Sequence, residues 1–311
     1  MRINKNGRNV IYFFTALAIF SLFSIRDNYF ISDALNYIEH ARRDFDFLES
    51  SNYLYPVYWM LLGFLRLWLD PELVPAALSL IISILIIFSS LKLKGSERWI
   101  FLFFCIFSSI IFNTTQVALR NGVALGFVLL GLAYGRTVLL VIAPLVHPGI
   151  FPIVAVLILL RYASETKKIM TTAIILGLAV FFLAPYFDQI MEARGYAQEG
   201  SSRLAGMVTY VAVISLAGIY FFSLSGSPYR FFMPIMVGIW IFVGLKYEFG
   251  GRLFLQSFLI SLFLLLKFSR AGDFKKWYLL GFLFFSAYGS ILWHPLVAYY
   301  DGWLGYWISK I

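Results

Sequence analysis

The sequence predicts an all-α polytopic membrane protein of roughly 9–11 transmembrane helices, with two of its apolar segments broken or re-entrant. Three observations carry this. Of 311 residues, 61% are apolar and 13% charged, with a mean hydropathy of +0.82; a soluble domain is about one quarter charged. A helix needs about 20 apolar residues to cross a bilayer, so this length allows roughly ten passes. The apolar runs are continuous, as in "LVPAALSLIISILIIFSSL", whereas strands of a membrane barrel alternate. A disordered chain, a secreted disulfide scaffold and an ordinary cytosolic enzyme are excluded. The chain reads as one integral membrane domain, 1–311, with no repeat or soluble portion.

The first helix is expected over Val10–Ile25, behind Arg2, Lys5 and Arg8. No small-residue cleavage site follows, so it reads as uncleaved, with a cytoplasmic N-terminus. Residues 26–52 form the longest polar stretch and are expected outside, as a periplasmic loop. Further apolar runs follow at about 53–69, 73–91, 99–113, 114–134, 138–160, 169–187, 207–223, 231–245, 253–267 and 278–293. Residues 188–206 form a second outer loop, and the aromatic tail from His294 is expected along the outer interface.

If every run spans, the loop holding Lys92, Lys94 and Arg98 lies outside, against the positive-inside rule. If 53–69 and 138–160 are re-entrant, that loop moves inside. Both segments carry reasons for irregularity. The first opens at Tyr55-Pro56, and the second places Pro144, Pro148, Gly149 and Pro152 around His147. Proline removes a helix hydrogen bond, and broken backbone at membrane depth survives only where it lines a cavity or is buried in protein. About nine spans and two broken hairpins are therefore preferred. The net charge of +9 then divides unequally, with eight arginines and two lysines outside against seven and eight inside. Arginine forms bidentate bonds to phosphate and carboxylate, so the outer bias points to an anionic ligand rather than to nucleic acid.

Several residues stand out for chemistry. In "SDALNYIEHARRDFDF", read as a helix capped by Ser32 or Asp33, the residues Asp33, Tyr37, His40 and Asp44 share one face. A carboxylate, a phenol and an imidazole there suit sugar binding or proton transfer, and a solvated amphipathic helix is the competing reading. In "FNTTQVALRNGVALGF", Arg120 falls about six residues into a span, with Asn113 and Gln116 two and one turns earlier on its face. An intramembrane charge is functional by default, against a structural arginine paired to a carbonyl or a lipid phosphate. His147 sits between two proline-rich half-helices. Arg194, Tyr196 and Arg203 combine cations with an aromatic in 188–206, and Arg252 follows two glycines. Cys105 is the single cysteine and reads as a small hydrophobe. No H-x-x-x-H or C-x-x-C pattern, Walker loop or nucleotide fingerprint occurs, so neither a metal site nor a cofactor is expected.

These residues resemble the bacterial EpsG-like and Wzy-type polysaccharide polymerases over about residues 10–290. An outer "D…Y" motif matches Asp33 and Tyr37. An "R-x-x-[IVL]-A" motif matches Arg120 with Ala124. A small-residue-flanked histidine matches His147, and Tyr196 and Arg252 match more weakly. Family members often carry a Glu-Pro pair where this chain has Tyr55-Pro56, and the larger O-antigen polymerases have a bigger second outer loop than 188–206.

The resemblance implies an enzyme of the inner membrane, facing the periplasm, that joins undecaprenyl-pyrophosphate-linked repeat units without nucleotide or metal. Donor and acceptor glycolipids and membrane lipids are the implied partners, with a flippase and a chain-length regulator beside them. On this reading Arg120 and Arg252 hold the pyrophosphate, and Arg194 and Arg203 close over it. Asp33 leads as base and His147 is second, while Tyr37, His40 and Tyr196 position sugars. A flippase for the lipid-linked unit and a membrane acyltransferase are the alternative classes. The first tends to show repeated halves. The second usually has a histidine near a carboxylate, and His147 has no acidic residue within ten positions.

Overall fold

The computed structural model describes residues 5–24, 34–42, 55–162, 207–244, 248–269 and 272–292, with scattered positions between 165 and 185. Within these, side chains are described except at 5–6, 22–24, 109–110, 113, 117, 207–210, 242–244, 248–254 and 286–292. Every described element is helical, and no strand occurs among the described residues. The outer loop 188–206, the aromatic tail, most of 26–52 and part of 169–187 lie outside them. The chain divides into two compact units, Met1–Pro148 with Ser286–Ile311, and Gly149–Phe285.

In the first unit, helix α1 spans Lys5–Ser24, α2 Ala34–Arg42, α3 Pro56–Arg66, α4 Val74–Ser90, α5 Glu97–Phe107, α6 Ser109–Phe112, α7 Leu119–Tyr134 and α8 Thr137–Val146. Proline opens α3 and α4 within their first turns, where its missing N–H has no intrahelical acceptor anyway. With the preceding 3-10 turn, Pro71–Ser90 is 20 residues long and is the one described helix with the length and apolarity to cross a membrane. The run at 53–69 is a single helix of 11 residues with no internal break. At 1.5 Å per residue it is roughly 16 Å long, about half the thickness of a bilayer core. The run at 138–160 does break. α8 stops at His147, whose backbone is extended (φ −148°, ψ 105°), and a 3-10 turn over Pro148–Ile150 leads into the next helix.

The core of this unit is α7 packed against α4 and α8. Three glycines permit the close approach. A Cβ on Gly126 would stand 2.6 Å from Leu85 Cδ1, and one on Gly131 2.7 Å from Leu140 Cδ2. A Cβ on Gly122 would overlap the Thr115 carbonyl oxygen. Gly122 and Gly126 form the small-x-x-x-small spacing that brings helix backbones together. The α4 face that meets them carries buried Leu78, Ile82 and Ile86, with Ser79 and Ser83 between. Ser83 satisfies its hydroxyl on the Ser79 carbonyl at 2.8 Å, one turn back.

Two ends of the unit differ in chemistry. At one end, Arg98 donates to Asn9 Oδ1 at 2.7 Å and to the carbonyls of Leu93 and Leu91 at 2.8 and 3.0 Å. Tyr12 on α1 bonds Ser90 at 2.7 Å, and the Lys92 ammonium lies 4.5 Å from the Tyr134 ring. The start of α1, the α4–α5 loop and the end of α7 thus share this basic end. Gly135 closes α7 in the left-handed region (φ 66°), which favours glycine, and passes the chain to Arg136. The starts of α4 and α7 lie at the other end. There Arg42 on α2 bonds Glu72 at 2.5 Å, ahead of α4.

The second unit holds α9 (Phe151–Tyr162), α10 (Met207–Ser223), α11 (Phe232–Gly244), α12 (Glu248–Phe268) and the start of α13 (Asp273–Leu292). Ser261 and Tyr278 bond at 2.8 Å in its core, and Phe258 stacks on Phe282 at 5.3 Å. A 3-10 turn at Pro228–Phe231 links α10 to α11 and sets Arg230 against Phe221 and Phe231, at 5.1 and 4.9 Å.

Candidate functional site

The site begins with a discontinuity. The stretch before Arg120 reads as continuous helix in sequence, but the chain forms a π-helical turn over Asn113–Val117 and leaves helical geometry at Ala118 (φ −84°, ψ 76°). The threonines supply a cause. Thr114 and Thr115 donate to the Ile111 carbonyl at 3.0 and 2.8 Å, offering the backbone an alternative to the helical ladder. Such π turns occur frequently at functional sites. Ser79 donates to Gln116 Oε1, tying the turn to α4. Two expectations are corrected. Arg120 is the second residue of α7 rather than about six residues into a span. The turn-by-turn spacing that put Asn113 and Gln116 on its face does not apply across Ala118.

A helix start leaves backbone N–H groups without intrahelical acceptors, and α7 has no side-chain cap of its own. The Arg120 N–H is satisfied from outside: it donates to the Tyr37 hydroxyl at 3.3 Å. Tyr37 is buried on α2. The Arg120 guanidinium lies 5.0 Å from the ring centre of Tyr55 and 5.4 Å from that of Tyr58. Each such contact is worth about 0.5–2 kcal/mol, more when desolvated. Both rings are buried and flank Pro56 at the start of α3.

A second aromatic layer adjoins the first. His40 lies one turn after Tyr37 on α2, with ring centres 6.4 Å apart. His40 also meets Tyr58 at 6.4 Å and Trp59 at 5.3 Å, and Tyr37 meets Tyr58 at 6.4 Å, edge to face. The result is a guanidinium at the head of a helix, half-buried and walled by phenols, with an imidazole and an indole beside it. Chemically such an arrangement can hold an anion beside an aromatic surface. Arginine supplies charge and paired donors, and aromatic faces accept the apolar faces of sugar rings.

The structure brings together Arg120, Tyr37 and His40, three residues marked in the sequence. It places His147 at the end of α8, half-buried, with its N–H on the Ala143 carbonyl at 3.1 Å. Arg252 falls within α12 of the second unit, and its side chain is not among those described. Asp33, Arg194, Tyr196 and Arg203 lie outside the described residues. Tyr58 and Trp59 were not singled out from sequence, and Tyr55 was noted only for the proline that follows it. Their signal is the run Tyr55-Pro56-Val57-Tyr58-Trp59, which sets two phenols at i and i+3 across a helix start.

No protein-family model, no curated protein and no solved structure matches the chain.

Proposed function

We propose that this chain is a multi-pass inner-membrane polymerase that joins undecaprenyl-pyrophosphate-linked oligosaccharide units into a surface polysaccharide. The observation that carries the reading is the enclosure of Arg120 at the head of α7 by Tyr37, Tyr55 and Tyr58. It unites two separate motifs of the resemblance and gives them an anion-binding geometry.

The helix ends support the orientation. Asn9 and Arg98 are hydrogen-bonded, so the start of α1 and the 92–98 loop share one end. Under the positive-inside rule that shared basic end is the cytoplasmic one. The Arg120 site belongs to the opposite end, which then faces the periplasm.

The reaction is a glycosyl transfer. The bond from the donor sugar's anomeric carbon to the pyrophosphate oxygen breaks. The acceptor hydroxyl oxygen forms the new bond to that carbon, and its proton passes to a base. Arg120 stabilises the charge on the departing pyrophosphate. Arg252, Arg194 and Arg203 are the further cations of this reading. Asp33 and His147 are its candidate bases, and His40 and Tyr196 line the sugars with Tyr37. Holding donor and acceptor in line supplies the remaining advantage. The leaving pyrophosphate supplies the driving force, so neither ATP nor a nucleotide sugar enters.

The test is deletion of the gene in its host, with surface glycan resolved by size. The reading expects single repeat units in the deletion, a ladder restored by wild type, and no ladder with Arg120→Ala. Accumulation of repeat units on the cytoplasmic side would mark a flippase. An intact but chemically altered ladder would mark a modifying transferase.

A further inference from the structure

We infer that Tyr58 is a second hydrogen-bond donor of the Arg120 site, its phenol donating to a phosphate oxygen of the ligand that the guanidinium binds. This rests on the pyrophosphate reading of that site and adds a residue to it.

The Tyr58 side chain is fully buried (0% exposed), and its hydroxyl has no hydrogen-bond partner among the described residues. A buried hydroxyl left unbonded is costly, whereas a phenylalanine of the same shape would fill an apolar pocket without that cost. Two other buried tyrosines of this unit, Tyr12 and Tyr37, spend their hydroxyls. Tyr12 bonds Ser90 at 2.7 Å, and Tyr37 accepts from Arg120. In the second unit the Tyr220 hydroxyl is also without a partner among the described residues, but its ring neighbour is Tyr278 at 5.6 Å rather than a cation. Tyr58 combines the unspent donor with a guanidinium 5.4 Å from its ring centre.

The geometry fits a tetrahedral anion better than a planar one. A carboxylate engages a guanidinium through two parallel bonds in one plane and needs no second donor from the side. A phosphoryl group presents oxygens in several directions, so one is taken by Arg120 while another accepts from a phenol at the edge of the ring beneath it. The Tyr37 and His40 rings, each 6.4 Å from Tyr58, hold the phenol from the side.

The test uses the purified full chain in lipid nanodiscs, with inorganic pyrophosphate as the probe and acetate as the planar comparison. Binding is measured by calorimetry, and thermal unfolding is followed with and without pyrophosphate. Tyr58→Phe is expected to weaken pyrophosphate binding by roughly tenfold or more, the scale of a hydrogen bond to a charged group. The ligand-free Tm should hold or rise, because a buried unsatisfied oxygen is removed. The pyrophosphate-induced rise in Tm should shrink. Wild-type affinity in Tyr58→Phe, with binding still lost in Arg120→Ala, would overturn the role of Tyr58 and leave the site standing. Failure of wild type to bind pyrophosphate, or equal binding by Arg120→Ala, would overturn both.

Discussion

The backbone N–H of Arg120 donates to the Tyr37 hydroxyl at 3.3 Å, across 83 residues of sequence. The bond does two things. It caps one of the open N–H groups at the start of α7, and it fixes α2 against the residue whose side chain carries the proposed chemistry. Substituting Tyr37→Phe removes this acceptor and keeps the ring. A hydrogen bond of this kind contributes about 0.5–1.5 kcal/mol. Thermal unfolding of Tyr37→Phe should show a loss of that size, with shorter polymer in the host. Unchanged stability with unchanged polymer would contradict the bond's role.

Charge alone does not describe Arg120. Its guanidinium lies over two phenol rings, an arrangement that suits a planar, weakly hydrated cation. Arg120→Lys keeps the charge but loses the fork and the stacked plane. The expected result is loss of the polymer ladder comparable to that of Arg120→Ala, with the protein still present in the membrane. A near-normal ladder would reduce Arg120 to a point charge.

Gly122 is expected to be the least replaceable glycine of α7. An added Cβ would overlap the backbone carbonyl oxygen of Thr115, which no rotamer change relieves. Overpacking of this sort costs about 1–3 kcal/mol. Gly122→Ala should therefore lower Tm and disturb the π turn beside Arg120. Gly218 on α10 meets nothing within 4 Å. Gly218→Ala should be neutral or stabilising, by up to about 1 kcal/mol from helix propensity. Equal effects at the two sites would contradict the packing described.

Cysteine labelling tests the orientation, and the native Cys105 is buried and so gives little background. Ser96 is exposed in the α4–α5 loop, and Leu35 is 45% exposed on α2. Ser96→Cys should react with impermeant reagent only from the cytoplasmic side, and Leu35→Cys only from the periplasmic side. Labelling of both from one side would contradict the placement of the two ends.

Much of the helical frame was legible because apolar runs need no tertiary information. α1, α4 and the break at His147 follow directly from run length and proline placement. The site was legible in part. Tyr37 and His40 share a face because helical spacing dictates it, and Arg120 stood out as a charge within an apolar run. Its true setting did not. The π turn at Asn113–Val117 depends on threonine hydroxyls competing for carbonyls and on Ser79 holding Gln116, and linear spacing encodes neither. Tyr55 and Tyr58 were hidden for a related reason. Aromatic residues are common in such a chain, and only the fold shows which two stand against a guanidinium. The glycine pair Gly122 and Gly126 was not marked in the sequence, and its role against α4 emerges only from the packing.

The central claim is that this chain alone performs the transfer at the Arg120 site. The most direct measurement is reconstitution of the purified full chain in vesicles with an undecaprenyl-pyrophosphate-linked repeat unit and no nucleotide. The account predicts glycolipids of two or more units, release of one undecaprenyl pyrophosphate per bond formed, and loss of both with Arg120→Ala. Unchanged single units in the wild-type reaction, with the protein folded and the substrate bound, would contradict it.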